Sequence, residues 1–436
     1  MHIGDVRLPD GTRCDLLIED GVFEAISSSI LGEPDIDAAG RLAMPGAIDV
    51  HVHFREPGHE HKETWVTGSR AAAAGGVTTV IDQPNTDPPT IDRASFEAKA
   101  ALAASGSIVD YGINGGVTEG WDPEALLAEP ITALGEVFMA DSTGDLGIGI
   151  ELFEQAVELA SAHGLLVTVH AEDASQFDTS VRDRSDARAW SAYRTAEAEV
   201  SATEQAIEIA QRYDAAMHLA HASTPTAVDR AVEAGWSCEV TPHHILLSDD
   251  DLNELGTFGR MNPPLRSGAE RKELYKRVRS GVVTMIATDH APHTIDEKQT
   301  DIWSAPSGVP GVETMLPLLL AEVDAGHLTL EAVARLTAHA PATRFDLPRK
   351  GYIQPGYDAD LVLVDLDRIQ PIDAERLVTG CGWTPFDGWD GIFPELTIRR
   401  GSVVYHDPTS SLRLPTDLEI DRFGATEGRN VRDPSP

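Results

Sequence analysis

From residue 46 onward, apolar segments rich in β-branched residues alternate with Ala-rich segments such as RASFEAKAALAAS and IELFEQAVELASA, which have helical character. Near-continuous apolar strands joined by helices are typical of a parallel sheet that is covered on both faces. The pattern predicts eight strands, namely AIDVHVH (47–53), GVTTVIDQP (76–84), YGINGGV (111–117), LGEVFMA (134–140), LLVTVHA (165–171), AMHLAHA (216–222), SCEVTPH (237–243) and VTMIATDHA (283–291).

Eight strands with helical crossovers predict the α/β class and, within it, a (β/α)8 (TIM) barrel, which we expect over residues 46–345. A doubly wound open sheet is the alternative. It is disfavoured because no G-x-G-x-x-G motif follows any of the predicted strands.

Both ends of the chain have a different pattern, with short alternating strands and Gly- and Asp-rich turns, as in RLPDGTRCDLLIEDGVFEAI and LTIRRGSVVYHD. The economical arrangement is one small β domain built from both termini, over residues 1–45 and 346–436. The last residues, GATEGRNVRDPSP, are expected to be a frayed tail.

The composition limits the partners of this 436-residue chain. Its formal net charge is −37, which excludes nucleic acid as an expected partner. The acidic residues are scattered, and Arg (28) greatly outnumbers Lys (6), so we expect a solvated acidic surface adapted to a very salty cytoplasm. No apolar run predicts a membrane span or a secretory signal, and we expect a cytoplasmic protein. The composition does not determine the oligomeric state, and a homo-oligomer is one of the alternatives.

Candidate chemistry begins with His51 and His53, which are two residues apart in an apolar strand, with Arg55 two residues further on. Because side chains alternate along a strand, all three are expected on one face. An edge strand with a solvated face is the alternative. At the same carboxyl ends of other strands lie Asn85, Glu136 or Asp141, His170, His221 and Asp289.

Functional groups collect at the carboxyl ends of barrel strands, so four imidazoles and two carboxylates there predict a metal site. Nitrogen and oxygen donors without thiolate suit Zn, Mn or Co. Six ligands are too many for one catalytic ion that keeps an open position. We therefore expect two divalent ions about 3.5–4 Å apart, bridged by a carboxylate, with Asp289 as the base.

Several long segments resemble dihydroorotases of the amidohydrolase superfamily (class I-like), and the resemblance runs from about residue 14 to 407. They are PGAIDVHVHFREPG, GSRAAAAGGVTTVIDQPNTDPPT, FMADSTGD, VHAED, HLAHAST, EVTPHHILLSDDDL, MNPPLR, TDHAPHTIDEK and APSGVPGVET. The resemblance implies a metal-bearing barrel with a β-sandwich from both termini. It also implies reversible cyclisation of N-carbamoyl-L-aspartate, a small anionic substrate, to dihydroorotate in de novo pyrimidine (UMP) biosynthesis.

By the same resemblance, His51, His53 and Asp289 would bind one ion, and His170 and His221 the other, with Zn²⁺ expected. The implied substrate-binding residues are Arg55, Asn85, Asn262, His293, Ser307 and Gly308, the last two through their backbone. A fixed guanidinium suits a carboxylate substrate on an acidic protein. The alternative for Arg55 is a surface ion pair with Glu56 or Glu60.

One position departs from the family pattern. Many related enzymes bridge the two metals with a carboxylated Lys, and this chain has Glu136 there. Other dihydroorotases use an Asp slightly later, which corresponds to Asp141. We favour Glu136 as the bridge, and the alternative for Asp141 is a loop or helix N-terminal carboxylate.

Two competing functions stay open at this point. Allantoinase, hydantoinase and dihydropyrimidinase share the metals and the ring-opening chemistry, and allantoinases also carry an Arg-Glu-Pro-Gly stretch. A non-catalytic homologue that partners another pyrimidine enzyme is the second alternative, because the bridging Lys is missing. Metal analysis separates it from an enzyme, which should hold one to two ions per chain.

Overall fold

The apolar segments of the central region form the strands of a barrel. The computed structural model describes residues 1–142, 146–415, 420 and 422–432. Its strands are β1 (His2–Arg7), β2 (Arg13–Glu19), β3 (Val22–Ser27), β4 (Ile36–Asp37), β5 (Leu42–Pro45), β6 (Ala47–Val52), β7 (Val77–Asp82), β8 (Asp110–Ile113), β9 (Leu134–Phe138), β10 (Val167–His170), β11 (Met217–Leu219), β12 (Ser237–Val240), β13 (Met285–Ile286), β14 (Leu361–Val364), β15 (Gln370–Pro371), β16 (Asp390–Gly391), β17 (Leu396–Arg399) and β18 (Ser402–His406).

The helices lie mainly between these strands, and most of them begin at a Ser, Thr or Asp whose side chain accepts a hydrogen bond from the first turn, as at Thr64, Asp92 and Thr195. They are α1 (Trp65–Ala74), α2 (Arg93–Gly106), α3 (Pro123–Leu126), α4 (Ile150–Ala162), α5 (Arg188–Tyr193), α6 (Ala196–Tyr213), α7 (Pro225–Glu233), α8 (Pro242–Leu246), α9 (Leu252–Leu255), α10 (Gly268–Arg279), α11 (Ile295–Lys298), α12 (Met315–Asp324), α13 (Leu330–Ala334) and α14 (Ala340–Arg344). None of the described helices is long and apolar enough to cross a membrane.

The eight barrel strands are parallel and follow the order of the chain. Strands β6 to β8 form one hydrogen-bonded set and β9 to β13 another. Parallel bridges between Gly115 and Leu134, and between Val52 and His290, join the two sets at both edges and close the barrel. The predicted (β/α)8 barrel is confirmed, and each predicted strand corresponds to an observed one.

Several observed strands are shorter than predicted. The segment 283–291 contributes only Met285–Ile286 as a strand, and 216–222 contributes only Met217–Leu219. Beyond these ends the backbone leaves the ladder, with positive φ at His221 (30°) and Asp289 (47°). Such angles are uncommon for residues other than Gly and cluster at functional sites.

Both termini contribute to a second sheet beside the barrel. Its order is β18-β17-β14-β5-β1-β2-β3, with β4 paired to β1, so that the N-terminal strands meet the late ones where β5 pairs with β14. The predicted β-sandwich domain from both termini agrees with this arrangement, while its limits at 1–45 and 346–436 stay a prediction.

The end of the chain is not a frayed tail over residues 424–432, the described part of the predicted tail. Tyr111 N–H donates to the Arg429 carbonyl (2.9 Å), and Val431 N–H donates to the Tyr111 carbonyl (2.8 Å), so this segment runs beside β8 of the barrel. Its polar composition predicted fraying, but backbone hydrogen bonds to a strand edge depend little on side-chain type. The expected fraying of 433–436 lies outside the described residues.

Candidate metal centre

His51 and His53 extend from the end of β6 into the mouth of the barrel. His51 Nδ1 lies 2.6 Å from Glu239 Oε1, and His53 Nδ1 lies 2.6 Å from Asn85 Oδ1. Both partners are oxygen acceptors, so each Nδ1 carries the proton and donates it. Each Nε2 is therefore left with its lone pair, which is the form of imidazole that binds a metal.

The second pair of imidazoles lies on the neighbouring part of the barrel. His170 Nε2 donates to Glu172 Oε2 (2.7 Å), which leaves the lone pair on Nδ1. That Nδ1 is 3.1 Å from His221 Nε2 and 2.9 Å from Glu136 Oε1. His221 Nε2 is 2.5 Å from the same Glu136 oxygen. Three atoms that can bind a metal, namely His170 Nδ1, His221 Nε2 and Glu136 Oε1, therefore lie close together.

Glu136 lies between the two pairs of imidazoles and can contribute an oxygen ligand to each of them. Its Oε1 faces His170 and His221, and its Oε2 lies 3.3 Å from His51 Nε2. In the described residues, His51, His53 and Glu136 form one set with donor atoms within 4.8 Å of one another, and Glu136, His170 and His221 form a second. A carboxylate shared by two sets of imidazoles is the arrangement that a pair of divalent ions requires.

Asp289 completes the first set. Its Oδ1 lies 2.9 Å from His53 Nε2 and 3.6 Å from His51 Nε2. Asp141, the alternative bridge, has an exposed side chain, and its backbone carbonyl accepts hydrogen bonds from Arg194 at 3.1 Å. The geometry therefore favours Glu136 as the bridging carboxylate.

The electrostatics of the centre favour positive charge, which is supplied by protons on the imidazoles or by cations that displace those protons and use the lone pairs. Burial lowers the pKa of the His51 imidazole, but Glu136 and Glu239 outweigh burial and hold that pKa well above its usual value. Burial opposes charge at His170 as well, yet Glu136 and Glu172 raise its pKa to about 9. The pKa of the Glu136 carboxyl lies well below its usual value because the imidazoles of His221 and His51 outweigh burial.

The residues present fit divalent cations. His51 Nε2, which faces Glu136 and Asp289, is buried without a hydrogen-bond partner among the described residues. Two imidazole nitrogens, His170 Nδ1 and His221 Nε2, lie 3.1 Å apart, which is unfavourable unless a proton or a cation lies between them. The donors are imidazole and carboxylate only, which suits borderline divalent ions.

Five of the six predicted substrate-binding residues line one cavity together with the candidate ligands. The walls of this small cavity include His53, Arg55, Asn85, Glu136, Phe138, Ser142, His170, His221, Asn262, Asp289, Ala291, Ser307 and Gly308. The sixth residue, His293, lies behind this wall, with its Nε2 2.9 Å from the Ser307 carbonyl, to which it donates.

Arg55 is placed differently from the sequence-based expectation. Strand β6 ends at Val52, and Arg55 has a positive φ of 64°, so it is not the third residue on a strand face. It is 2% exposed, which excludes a surface ion pair, and among the described residues it has no carboxylate partner within 4.0 Å. Its Nε donates to the Pro292 carbonyl (3.3 Å), and burial lowers its pKa to about 10.

Two carboxylates at the site were not predicted. Glu239 on β12 accepts from His51 Nδ1, from the His221 backbone N–H (3.1 Å) and from His218 Nε2 (3.0 Å). Glu172 accepts from His170. Each could have been noticed as an acidic residue inside or directly after a strand, in SCEV and VHAED.

Known proteins with similar sequences agree with a metal-binding site of this kind. The chain belongs to the amidohydrolase family, which matches residues 42–381. Among curated relatives, it is 53% identical to a dihydroorotase of Halobacterium salinarum over 99% of both chains, and 46% identical to a dihydroorotase of Methanosarcina acetivorans over 93% of this chain and 92% of the relative. It is also 36% identical to an allantoinase of Solibacter usitatus over 90% of both chains.

Solved structures of similar proteins share the fold. An L-hydantoinase from Arthrobacter aurescens superimposes with a TM-score of 0.89 at 29% identity, covering 93% of this chain and 96% of that chain. The dihydropyrimidinase from Brevibacillus agri gives a TM-score of 0.85 at 27% identity, covering 95% of this chain and 96% of that chain.

Proposed function

We propose that this amidohydrolase is a dihydroorotase, which interconverts N-carbamoyl-L-aspartate and dihydroorotate in pyrimidine biosynthesis. The observation that carries the proposal is a buried guanidinium, Arg55, in one cavity with two imidazole sets that share Glu136. A chain with a net charge of −37 needs such a group to hold an anionic substrate. The relatives at 46–53% identity carry the name dihydroorotase.

The proposed ligands follow the two sets. His51, His53 and Asp289 would hold one divalent ion, His170 and His221 the other, and Glu136 both. Bound ions supply Lewis acidity toward the amide carbonyl and lower the pKa of the attacking water. Zn²⁺ is the ion we propose, because imidazole and carboxylate donors in a closed barrel mouth suit it well.

Asp289 is the proposed proton carrier. In hydrolysis, a bond forms between the water oxygen and the amide carbon, and the proton of that water passes to the Asp289 carboxylate. As the ring C–N bond breaks, the same carboxyl returns the proton to the leaving nitrogen. Cyclisation runs these steps in reverse. His53 and His51 keep the pKa of Asp289 below its usual value despite burial, so the carboxylate is ionised and able to accept a proton, and its Oδ1 lies beside both rings.

The substrate carboxylate is proposed to bind Arg55, with Asn85, Asn262 and His293 close by. His53 Nδ1 donates to Asn85 Oδ1, which orients the Asn85 amide so that its NH₂ group is a donor. Trp190 Nε1 donates to Asn262 Oδ1 (3.0 Å), which fixes the Asn262 amide in the same way. The backbone of Ser307 and Gly308 would contact the ring.

The proposed enzyme also has a location in the cell and a surface chemistry that follow from its substrate and its charge. We place it in the cytoplasm, where pyrimidine precursors are made, with a surface adapted to high salt. The net charge of −37 and the preference for Arg over Lys support that adaptation.

A turnover assay in molar KCl tests the proposal. Purified protein is given dihydroorotate, allantoin and dihydrouracil in parallel, and bound metal is measured on the same preparation. We expect turnover of dihydroorotate and one to two ions per chain. Glu136→Ala should abolish turnover while Asp141→Ala retains it, and the reverse result would transfer the bridging role to Asp141.

Allantoinase is the second candidate, because a relative with that name is 36% identical over 90% of both chains. Prompt cleavage of allantoin without cleavage of dihydroorotate would establish it in place of the first. A protein that purifies without metal and turns over none of the three substrates would instead fit a non-catalytic homologue.

A further inference from the structure

Lys298, at the end of α11, is fully buried, and its ammonium group is surrounded by backbone carbonyls. Nζ donates to the carbonyl oxygens of Arg260 (3.0 Å), Pro306 (2.9 Å) and Gly308 (3.0 Å). Among the described residues, no carboxylate lies within 4.0 Å of this nitrogen. The ring of Trp383 lies 5.6 Å away. Three carbonyl dipoles therefore stabilise the charge in place of a counterion.

A buried ammonium without a counterion is costly, so its presence calls for a reason. The chain has 28 Arg but only six Lys, and only two of these, Lys272 and Lys276, are exposed. Most basic positions of the chain are therefore Arg, whereas four of the six Lys residues are buried or half-buried. An ammonium directs three donors from one nitrogen toward diverging acceptors, whereas a guanidinium is planar and larger.

One of the three carbonyls belongs to Gly308 in the wall of the substrate cavity, and a second belongs to Pro306, which directly precedes the lining residue Ser307. Ser307 and Gly308 line the cavity, and Gly308 N–H donates to the Arg260 carbonyl (3.0 Å) that also accepts from Lys298. Gly308 has a φ of 135°, and a Cβ there would lie 2.6 Å from the Ala291 carbonyl oxygen. This wall is closely packed against its neighbours at Gly308, and Lys298 donates hydrogen bonds to its backbone without lining the cavity itself.

We propose that Lys298 is a positioning residue that fixes the 306–308 backbone for contact with the cyclic amide. The proposal rests on the proposed function in one respect, the assignment of Ser307 and Gly308 to the substrate ring. Among the described residues, the hydrogen bonds of Lys298 Nζ go to Arg260, Pro306 and Gly308 and to no candidate metal ligand. Removal of Lys298 should therefore weaken substrate binding and leave metal binding unchanged.

The test compares Lys298→Met and Lys298→Arg with Lys272→Met, which makes the same change at an exposed position on α10. We expect Lys298→Met to raise KM roughly tenfold, with wild-type metal content and a kcat that changes less than KM. Lys298→Arg keeps the charge but cannot match the three acceptors, so it should also raise KM. Lys272→Met should match the wild type.

The two parameters separate positioning from a purely structural role. Unfolding of part of the sample lowers the apparent kcat and leaves KM unchanged, and that result would overturn the proposal. A wild-type KM in Lys298→Met, or in Lys298→Arg if the Met variant is insoluble, would overturn it as well.

The KM ratio can be measured on whichever cyclic amide the wild type cleaves, so a wrong substrate assignment does not conceal the result. If the wild type cleaves none of them, the proposed function fails. Calorimetric Kd values for dihydroorotate then test Lys298, with a tenfold weaker Kd expected in Lys298→Met. Absence of binding by the wild type would overturn both proposals.

Discussion

Glu239 offers a sharp test of how the metal centre is built. Its carboxylate accepts three hydrogen bonds, from His51 Nδ1, His218 Nε2 and the His221 backbone N–H. The bond from His51 directs the Nε2 lone pair of that ring into the centre and increases its basicity. Changes at Glu239 should therefore weaken the metal bound on the His51 side without removing any proposed ligand.

Two substitutions at Glu239 are expected to lower the metal affinity by different amounts. In Glu239→Gln the amide oxygen can still accept from His51, and the amide NH₂ can donate to His218 if that ring changes tautomer and donates from Nδ1 to Ser237, which lies 2.7 Å away. Glu239→Ala leaves His51 Nδ1 and His218 Nε2 without an acceptor. Loss of such a supporting group costs about 10- to 100-fold in metal affinity. We expect roughly tenfold for Gln and roughly hundredfold for Ala, or about 1.4 and 2.7 kcal/mol.

Metal affinity is measured by competition with a chelator in molar KCl, together with metal content after dialysis. Glu254→Gln, at an exposed position on α9, is the control for loss of one negative charge. Unchanged affinity in folded Glu239→Ala would show that Glu239 does not support the metal, and the reasoning from its hydrogen bonds would be wrong.

Three further predictions concern the substrate, pH and salt. Arg55→Met should raise KM for dihydroorotate about 10- to 100-fold in steady-state assays, since a hydrogen bond to a charged group contributes about 1.5–3 kcal/mol; the exposed Arg279→Met is the control, and an unchanged KM would remove Arg55 from the binding set. Burial raises the pKa of Glu313 to about 8, so the native state keeps a proton that the unfolded chain releases above 4.5. The stability from this group is complete below pH 4.5 and is lost as pH rises toward 8, by at most about 1.4 kcal/mol per pH unit. Urea unfolding from pH 5 to 9 should show this fall in the wild type and less of it in Glu313→Gln; parallel curves would contradict the prediction. Stability should also fall between molar and 0.1 M KCl, where the Debye length grows from about 3 to about 10 Å; equal unfolding midpoints would exclude salt adaptation.

The order of the barrel strands followed from the sequence because their apolar character is local. Their ends did not, because the last residues leave the ladder when polar groups turn into the cavity. The segment 283–291 shows this, since only Met285–Ile286 is strand and Asp289 has a positive φ. Arg55 shows the same effect, because β6 ends at Val52 and Arg55 itself has a positive φ.

The imidazoles and Glu136 could be predicted because each lies near the carboxyl end of a predicted strand. The groups that orient them could not. Glu239 and His51 are far apart in sequence, and their contact exists only once β6 and β12 face the same interior. Lys298 has no motif of its own that points to three carbonyls. Such residues depend on three-dimensional packing more than on local pattern.

The pairing of β5 with β14 has a consequence for synthesis of the chain on the ribosome. These strands are separated by roughly 300 residues, so at about 5–20 residues per second the β5 edge waits some 15–60 s for its partner. During that time the hairpins of β1 to β3 can form, but the apolar LAMP segment has an open edge, which is a site for aggregation. A nascent chain of this architecture therefore depends on chaperones, or on rapid collapse of the barrel, to protect its first strands.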